Sequence, residues 1–240
     1  MQIKVGCCGF PVGRKEYAAK LALVEVQQTF YQPPRWATAR RWRGEVPPGF
    51  DFTLKAWQLI THEPTSPTYR RLKEPLTPEE RGQAGAFRPT PLVKRAWEVT
   101  REIAVALAAR VILFQCPPRF GPTPENLANL RRFFGELDRG DFTLAWEARG
   151  KWPREEFLAL CRELHLLPAL DPFATLPGPG PRVYFRLHGR NGYRYAYTAT
   201  DLQELAAFLK DRQEAYVLFN NLSMWPDACR FSDFIAKRAF

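Results

Sequence analysis

Apolar residues along the chain fall into two alternating rhythms. Short runs rich in Val, Ile, Leu and Phe occur at Ile3–Cys7, Leu23–Gln27, Phe50–Lys55, Val111–Gln115, Phe142–Glu147, Leu167–Leu170, Arg182–His188 and Ala215–Asn220. Their length and β-branched or aromatic content predict buried strands. Between them apolar positions recur near every 3.6 residues, as at Leu127, Leu130, Phe134 and Leu137, at Phe157, Cys161 and Leu164, and at Leu202, Leu205 and Leu209. That spacing predicts helices with one covered face. Strand and helix in alternation imply repeated βα units on a parallel sheet, and eight strands is the number that closes a barrel. The expected fold class is therefore α/β, a TIM-type (β/α)₈ barrel, as a single domain over residues 1–240.

Local signals sharpen the element boundaries. Thr123-Pro124-Glu125 reads as a cap followed by proline in the first helical turn, and Thr200-Asp201 is expected to open the seventh helix. An open doubly wound sheet ranks second, because Gly6-Cys7-Cys8-Gly9-Phe10-Pro11 lacks the GxGxxG phosphate turn. The stretch from His62 to Pro91, with prolines at 64, 67, 75, 78, 89 and 91, reads as a long Pro-rich loop after strand three, of the kind that forms a lid or a binding loop. Pro177-Gly178-Pro179-Gly180-Pro181 reads as a stiff turn before strand seven.

Barrel enzymes carry their chemistry at the C-terminal strand ends, so the polar residues there are the candidates. Cys8 stands at the end of strand one, Glu25, Gln27 and Thr29 along strand two ahead of Phe30-Tyr31, and Lys55 at the end of strand three. Strand four ends in Gln115, strand five in Glu147 with Arg149, strand six in Asp171, strand seven in Arg186 and His188, and strand eight in Asn220-Asn221. Alternation puts Glu25 with Gln27, Glu147 with Arg149, and Arg186 with His188 on common faces. Buried charges must be paired, so the set reads either as a structural ion-pair plug or as a pocket of Arg, Lys and carboxylate. In the functional reading Glu25, Glu147 and His188 carry acid/base catalysis, while Tyr31, Lys55, Arg149, Asp171, Arg186 and Asn220 bind substrate.

Other chemistries fit less well. Glu147, Asp171 and His188 offer oxygen and imidazole ligands, so a divalent metal is conceivable, yet the cations Lys55, Arg149 and Arg186 oppose one and it is not favoured; the cofactor is left unknown. His62 is assigned to the lid and His165 to a helix end, where it meets the macrodipole. Cys8 reads better as a small buried hydrophobe than as a nucleophile, and Lys55 better as an anion binder than as a Schiff-base amine.

Charge turns these candidates toward anions. The chain carries 35 Lys and Arg against 25 Asp and Glu, a net charge of +10. Pro172–Thr200 holds no acid at all but has Arg182, Arg186, Arg190 and Arg194 interleaved with Tyr184, Tyr193, Tyr195 and Tyr197. The loop Arg190-Asn191-Gly192-Tyr193-Arg194, after strand seven, is the expected phosphate grip, with Arg190 and Arg194 as its cations. An anionic small molecule is the favoured partner, and a nucleic acid held by Arg190, Arg194, Tyr193 and the Pro-rich loop is the alternative. A non-catalytic metabolite-binding protein is a third reading. Arg35-Trp36 and Arg40-Arg41-Trp42-Arg43 read as an outer helix face with buried tryptophans. No apolar run approaches the ~18–20 residues that span a bilayer, and Met1-Gln2-Ile3-Lys4-Val5 runs straight into a strand, so a cytoplasmic protein without membrane partner is expected. The five cysteines show neither disulfide nor zinc spacing and are expected to be reduced. Nothing in the pattern speaks to oligomeric state.

Taken in order, these strand-end segments resemble the domain-of-unknown-function 72, or YecE-like, family. The resemblance is carried by Gly6-Cys7-Cys8-Gly9-Phe10, Val24-Glu25-Val26-Gln27-Gln28-Thr29-Phe30-Tyr31, Phe52-Thr53-Leu54-Lys55-Ala56 with Ile60-Thr61-His62, Leu113-Phe114-Gln115-Cys116-Pro117-Pro118, Glu147-Ala148-Arg149 with Trp152, Phe185-Arg186-Leu187-His188-Gly189, and Tyr216-Val217-Leu218-Phe219-Asn220-Asn221. It implies a TIM barrel and assigns no activity. The broad similarity of that barrel to apurinic endonuclease and xylose isomerase barrels implies DNA, through phosphodiester cleavage, or a sugar phosphate as substrate classes to consider. One departure stands out: the family's strand-five motif continues with His after the Arg, and here Gly150 occupies that position.

Overall fold

Eight short strands, buried along most of their length, follow one another in chain order: β1 (Gln2–Cys7), β2 (Leu23–Val26), β3 (Asp51–Lys55), β4 (Val111–Gln115), β5 (Thr143–Glu147), β6 (Leu167–Leu170), β7 (Arg182–Leu187) and β8 (Glu214–Phe219). In the computed structural model, which describes residues 1–237, they close as a parallel barrel, β8 returning to β1 in the register Ile3↔Ala215 through Cys7↔Phe219. The helices are α1 (Arg14–Ala18), α2 (Gln28–Tyr31), α3 (Trp36–Gly44), α4 (Gln58–Thr61), α5 (Pro78–Gln83), α6 (Pro91–Leu107), α7 (Pro124–Glu136), α8 (Arg154–Glu163), α9 (Ala199–Ala207) and α10 (Met224–Ala236). None of them is long and apolar enough to cross a membrane.

Three expectations need correction. Strand two stops at Val26, and Gln27, with helical φ and ψ, caps α2 instead of continuing the alternation from Glu25. The Thr29 hydroxyl holds this turn, donating to the carbonyl of Lys55 at 2.7 Å and lying 3.1 Å from that of Val26. Helix α9 is capped by Thr198 rather than Thr200, because Asp201 sits three residues after Thr198 and completes a reciprocal capping box. The Pro-rich stretch after β3 is not an open loop. It holds a 3₁₀ turn at Pro67–Arg71 capped by Ser66, and α5, opened by the Thr77/Glu80 capping box with Pro78 behind it. The prolines start these short helices instead of preventing them.

The chain packs as two compact units. One comprises Met1–Glu25, Gly44–Phe52 and the chain from Leu167 on. Here Gly6 passes so close to β2 that a Cβ on it would meet the Leu23 carbonyl oxygen at 2.0 Å. Beside it the buried Tyr17 hydroxyl accepts from Cys7 N–H at 2.7 Å and donates to Leu23 C=O at 2.8 Å, filling the ladder with a side chain. The other unit comprises Val26–Arg43 and Thr53–Leu166. Its long helix α6 starts on the Thr90 cap with Pro91 behind it and buries Leu92, Val93, Ala96, Trp97, Thr100 and Ile103. Edge-to-face rings of Phe114, Phe133 and Phe134 pack beside them, at centroid distances of 5.1 to 5.7 Å.

Candidate active site

In the first unit, Glu25 of β2 and Arg186 of β7 are 0% and 1% exposed and bond each other directly. Arg186 Nη2 donates to Glu25 Oε1 at 2.8 Å, and Nε lies 3.1 and 3.2 Å from the two carboxylate oxygens. The Tyr184 hydroxyl donates to Oε2 at 2.7 Å, and Cys8 Sγ lies 3.6 Å from Arg186 Nη2. Burial and the neighbouring Glu25 carboxylate push the Cys8 thiol well above its ordinary pKa, so this sulfur stays protonated. A two-pronged guanidinium and a phenol on one carboxylate is the arrangement a dry interior demands of a charge. Tyr184 was not singled out from sequence as Glu25's partner, although its place two residues before Arg186 puts both on one face of β7.

At the ends of β6 and β7, Asp171 accepts from the backbone N–H of His188 at 2.8 Å and of Phe173 at 3.1 Å. Its Oδ2 also lies 3.6 Å from His188 Nδ1, with the imidazole side chain 29% exposed. Arg190 is engaged by its own chain: it pairs with Asp201 at 2.6 Å and with Glu204, and lies 4.2 Å above the Phe173 ring. Asp201 also accepts from Tyr195, Thr198 N–H and the Thr198 hydroxyl. Burial raises its carboxyl, but these bonds and Arg190 outweigh that and hold it below the ordinary range. Arg194 is exposed and Asn220 half-buried. The phosphate grip expected at Arg190 is thus occupied by two carboxylates that lie beyond the acid-free stretch.

In the second unit a different set assembles at the ends of β3 and β5. Lys55 is 5% exposed, with its ammonium 3.9 Å from the centre of the Phe30 ring. The His62 ring packs edge-on to Phe30 at 4.8 Å, and its Nδ1 is 2.8 Å from the Thr61 hydroxyl. Burial first, and then the charges of Lys55 and Arg149, lower the His62 pKa to about 3. The imidazole is therefore neutral throughout the physiological range. Arg149, just beyond β5, donates from Nε to Glu147 Oε1 at 2.6 Å, leaving its side chain 36% exposed while Glu147's is 7% exposed. Tyr31 lies beneath Arg71, 3.6 Å from the guanidinium, and its carbonyl accepts from Gln58. Phe30 and Arg71 escaped the reading of strand ends because each acts through a ring or a stack, which has no periodic signature. His62, at the start of the Pro-rich stretch, is buried with the charges of Lys55 and Arg149 close to it.

Among the described residues, no group of three or more His, Cys, Asp or Glu side chains is placed to hold a metal ion, so the ligand trio considered from sequence, Glu147, Asp171 and His188, is not assembled. All five cysteines are unpaired, four of them buried.

A model for the family described as protein of unknown function DUF72 matches residues 13–233. The chain belongs to the DUF72 family. It is 26% identical over 245 residues to the UPF0759 protein YunF of Bacillus subtilis strain 168, an alignment covering 86% of this chain and 79% of that protein. Its fold is similar to the crystal structure of a DUF72 protein from Enterococcus faecalis V583, with TM-score 0.74, 22% identity, and 100% and 97% of the two chains covered. A D-psicose 3-epimerase from Clostridium cellulolyticum H10, solved with D-tagatose, shares the barrel with TM-score 0.62 at 10% identity over 98% of each chain. Against the pattern expected of DUF72 chains, Gly150 has a steric reason here: a Cβ at that position would lie 2.1 Å from the Phe120 carbonyl oxygen. That carbonyl is fixed by the Trp152 indole, which donates to it at 2.7 Å.

Proposed function

We propose that this chain is an enzyme that takes an anionic, phosphate-bearing substrate at the ends of β3 and β5. Lys55 and Arg149 bind the anion, and Glu147 is the acid/base group. The observation that carries the reading is His62, a buried imidazole kept neutral by burial and by Lys55 and Arg149 nearby. Burial opposes charge of either sign, but the Lys55 and Arg149 charges that add to it against a proton on His62 are ones that favour a phosphate. Glu147, held 2.6 Å from Arg149, is the carboxylate placed to accept a proton from a bound substrate. An anion drawing on Arg149 would release that carboxylate, coupling binding to its basicity. Neutral His62 contributes a hydrogen bond without adding charge. Glu25 takes no part in proton transfer in this reading, because Arg186 and Tyr184 already bond both of its oxygens.

The test is a panel of inorganic phosphate, pyrophosphate and ketose and aldose phosphates, read by thermal shift and by NMR of the organic component. A sugar phosphate is the natural first probe, since it joins an anion to ionisable hydroxyl and carbonyl chemistry, and the barrel itself is shared with a ketose epimerase. Lys55→Met is expected to weaken binding at least about tenfold, a loss of ~1.4 kcal/mol. Glu147→Gln is expected to keep binding and lose turnover by about 10²–10⁴-fold. Failure of every phosphate compound to stabilise the wild type, or unchanged turnover in Glu147→Gln, would remove the proposal.

A further inference from the structure

Outside this recess the second unit carries a surface for which the proposed chemistry has no use. Between Glu25 and Glu45 the chain has no acidic residue but four arginines, and between Glu63 and Glu74 it has none but Arg70, Arg71 and Lys73. The fold brings these two acid-free segments together. Arg71 from the 3₁₀ turn covers the ring of Tyr31 on α2 at 3.6 Å, and Lys73 N–H donates to the Gln32 side chain at 3.2 Å. At the start of α3, Trp36 is 56% exposed, with the Arg40 guanidinium 5.6 Å from its ring centre. Trp42, one of the two tryptophans expected to be buried, is buried, and Trp36 is not. Arg35, Arg40, Arg70, Arg71 and Lys73 are all exposed and none forms an ion pair among the described residues.

We infer that this face binds single-stranded nucleic acid. A large indole left in water beside a cation, and a second cation–ring stack on Tyr31, five residues earlier in the chain, combine the two features that single strands use: planar groups for unpaired bases and unpaired cations for the backbone. An acidic protein partner would use the charges but not the exposed indole plane. A duplex hides its base faces and would likewise leave Trp36 unused. The inference does not rest on the Lys55 recess and stands or falls separately from it.

The test is fluorescence anisotropy of a labelled oligothymidylate of about 20 nucleotides with the full-length protein. Binding is expected at low salt, weakening from about 50 to about 200 mM KCl with a log–log slope of about −3.5 if the five cations each meet a phosphate. Trp36→Ala, a change at an exposed position, is expected to weaken it about tenfold. Arg70→Glu should weaken it as well, while Lys210→Glu, an equal charge change at an exposed position in the other unit, should not. Circular dichroism confirms that each variant is folded. Equal affinity in Trp36→Ala and wild type, equal or tighter binding of a duplex of the same length, or binding to phosphatidylserine vesicles with none to the oligonucleotide would each overturn the inference.

Discussion

Replacing Arg186 with methionine is expected to destabilise the protein by about 3–5 kcal/mol, seen as a lower midpoint in urea with an unchanged slope. The reason is what the substitution leaves behind. Glu25 is 0% exposed, and Arg186 bonds both of its oxygens while Tyr184 donates to one of them. A carboxylate stranded there must be protonated or hydrated, and both are costly. The double variant Glu25→Leu/Arg186→Met should recover most of the loss, because an apolar pair of similar volume needs no compensation. A loss below about 1 kcal/mol in Arg186→Met would mean that Glu25 does not depend on this partner.

Gly150→Ala is expected to be the second most damaging change, at about 1–3 kcal/mol or more despite adding one methyl group. Its new Cβ would fall 2.1 Å from the Phe120 carbonyl oxygen and 3.3 Å from that of Pro118. The neighbour cannot yield cheaply, since it is backbone and is tied to Trp152 Nε1. The corner would have to open, and Arg149, the preceding residue, would shift with it and loosen its 2.6 Å contact with Glu147. Thermal unfolding should show the loss of stability, and Trp152 emission should shift as its indole loses the carbonyl. A Gly150→Ala protein as stable as wild type, with unchanged emission, would show that the corner adapts. Histidine at 150 should be worse, which accounts for the glycine where the family pattern has an imidazole.

The barrel was legible because its information is local. Buried runs such as Val111–Gln115 and capped amphipathic stretches such as Thr123 to Leu137 announce themselves within a few residues. What the strand ends do was only partly legible. Alternation assigns Arg186 to a face but does not say which carboxylate it meets, since that depends on register and curvature across many residues. Gln27 misled because a single Thr29 hydroxyl ended the strand early. The partners of Arg190 were not legible, because Asp201 and Glu204 lie just beyond an acid-free stretch and fold back onto it. Trp36 and Trp42 lie six residues apart, and only packing distinguishes the one in the core from the one in water.

The central claim is that the recess formed by Lys55, Arg149 and His62 is built for an anion, and NMR of ¹⁵N-labelled histidine tests it directly. In the free protein the His62 ring should remain neutral as pH falls past the ordinary 6.5, toward about 3. Saturating pyrophosphate should raise that pKa, because an anion beside Lys55 and Arg149 offsets the charges that oppose protonation, while burial still holds it below 6.5. His62 titrating near 6.5 in the free protein, or a ring pKa unmoved by pyrophosphate, would contradict the account.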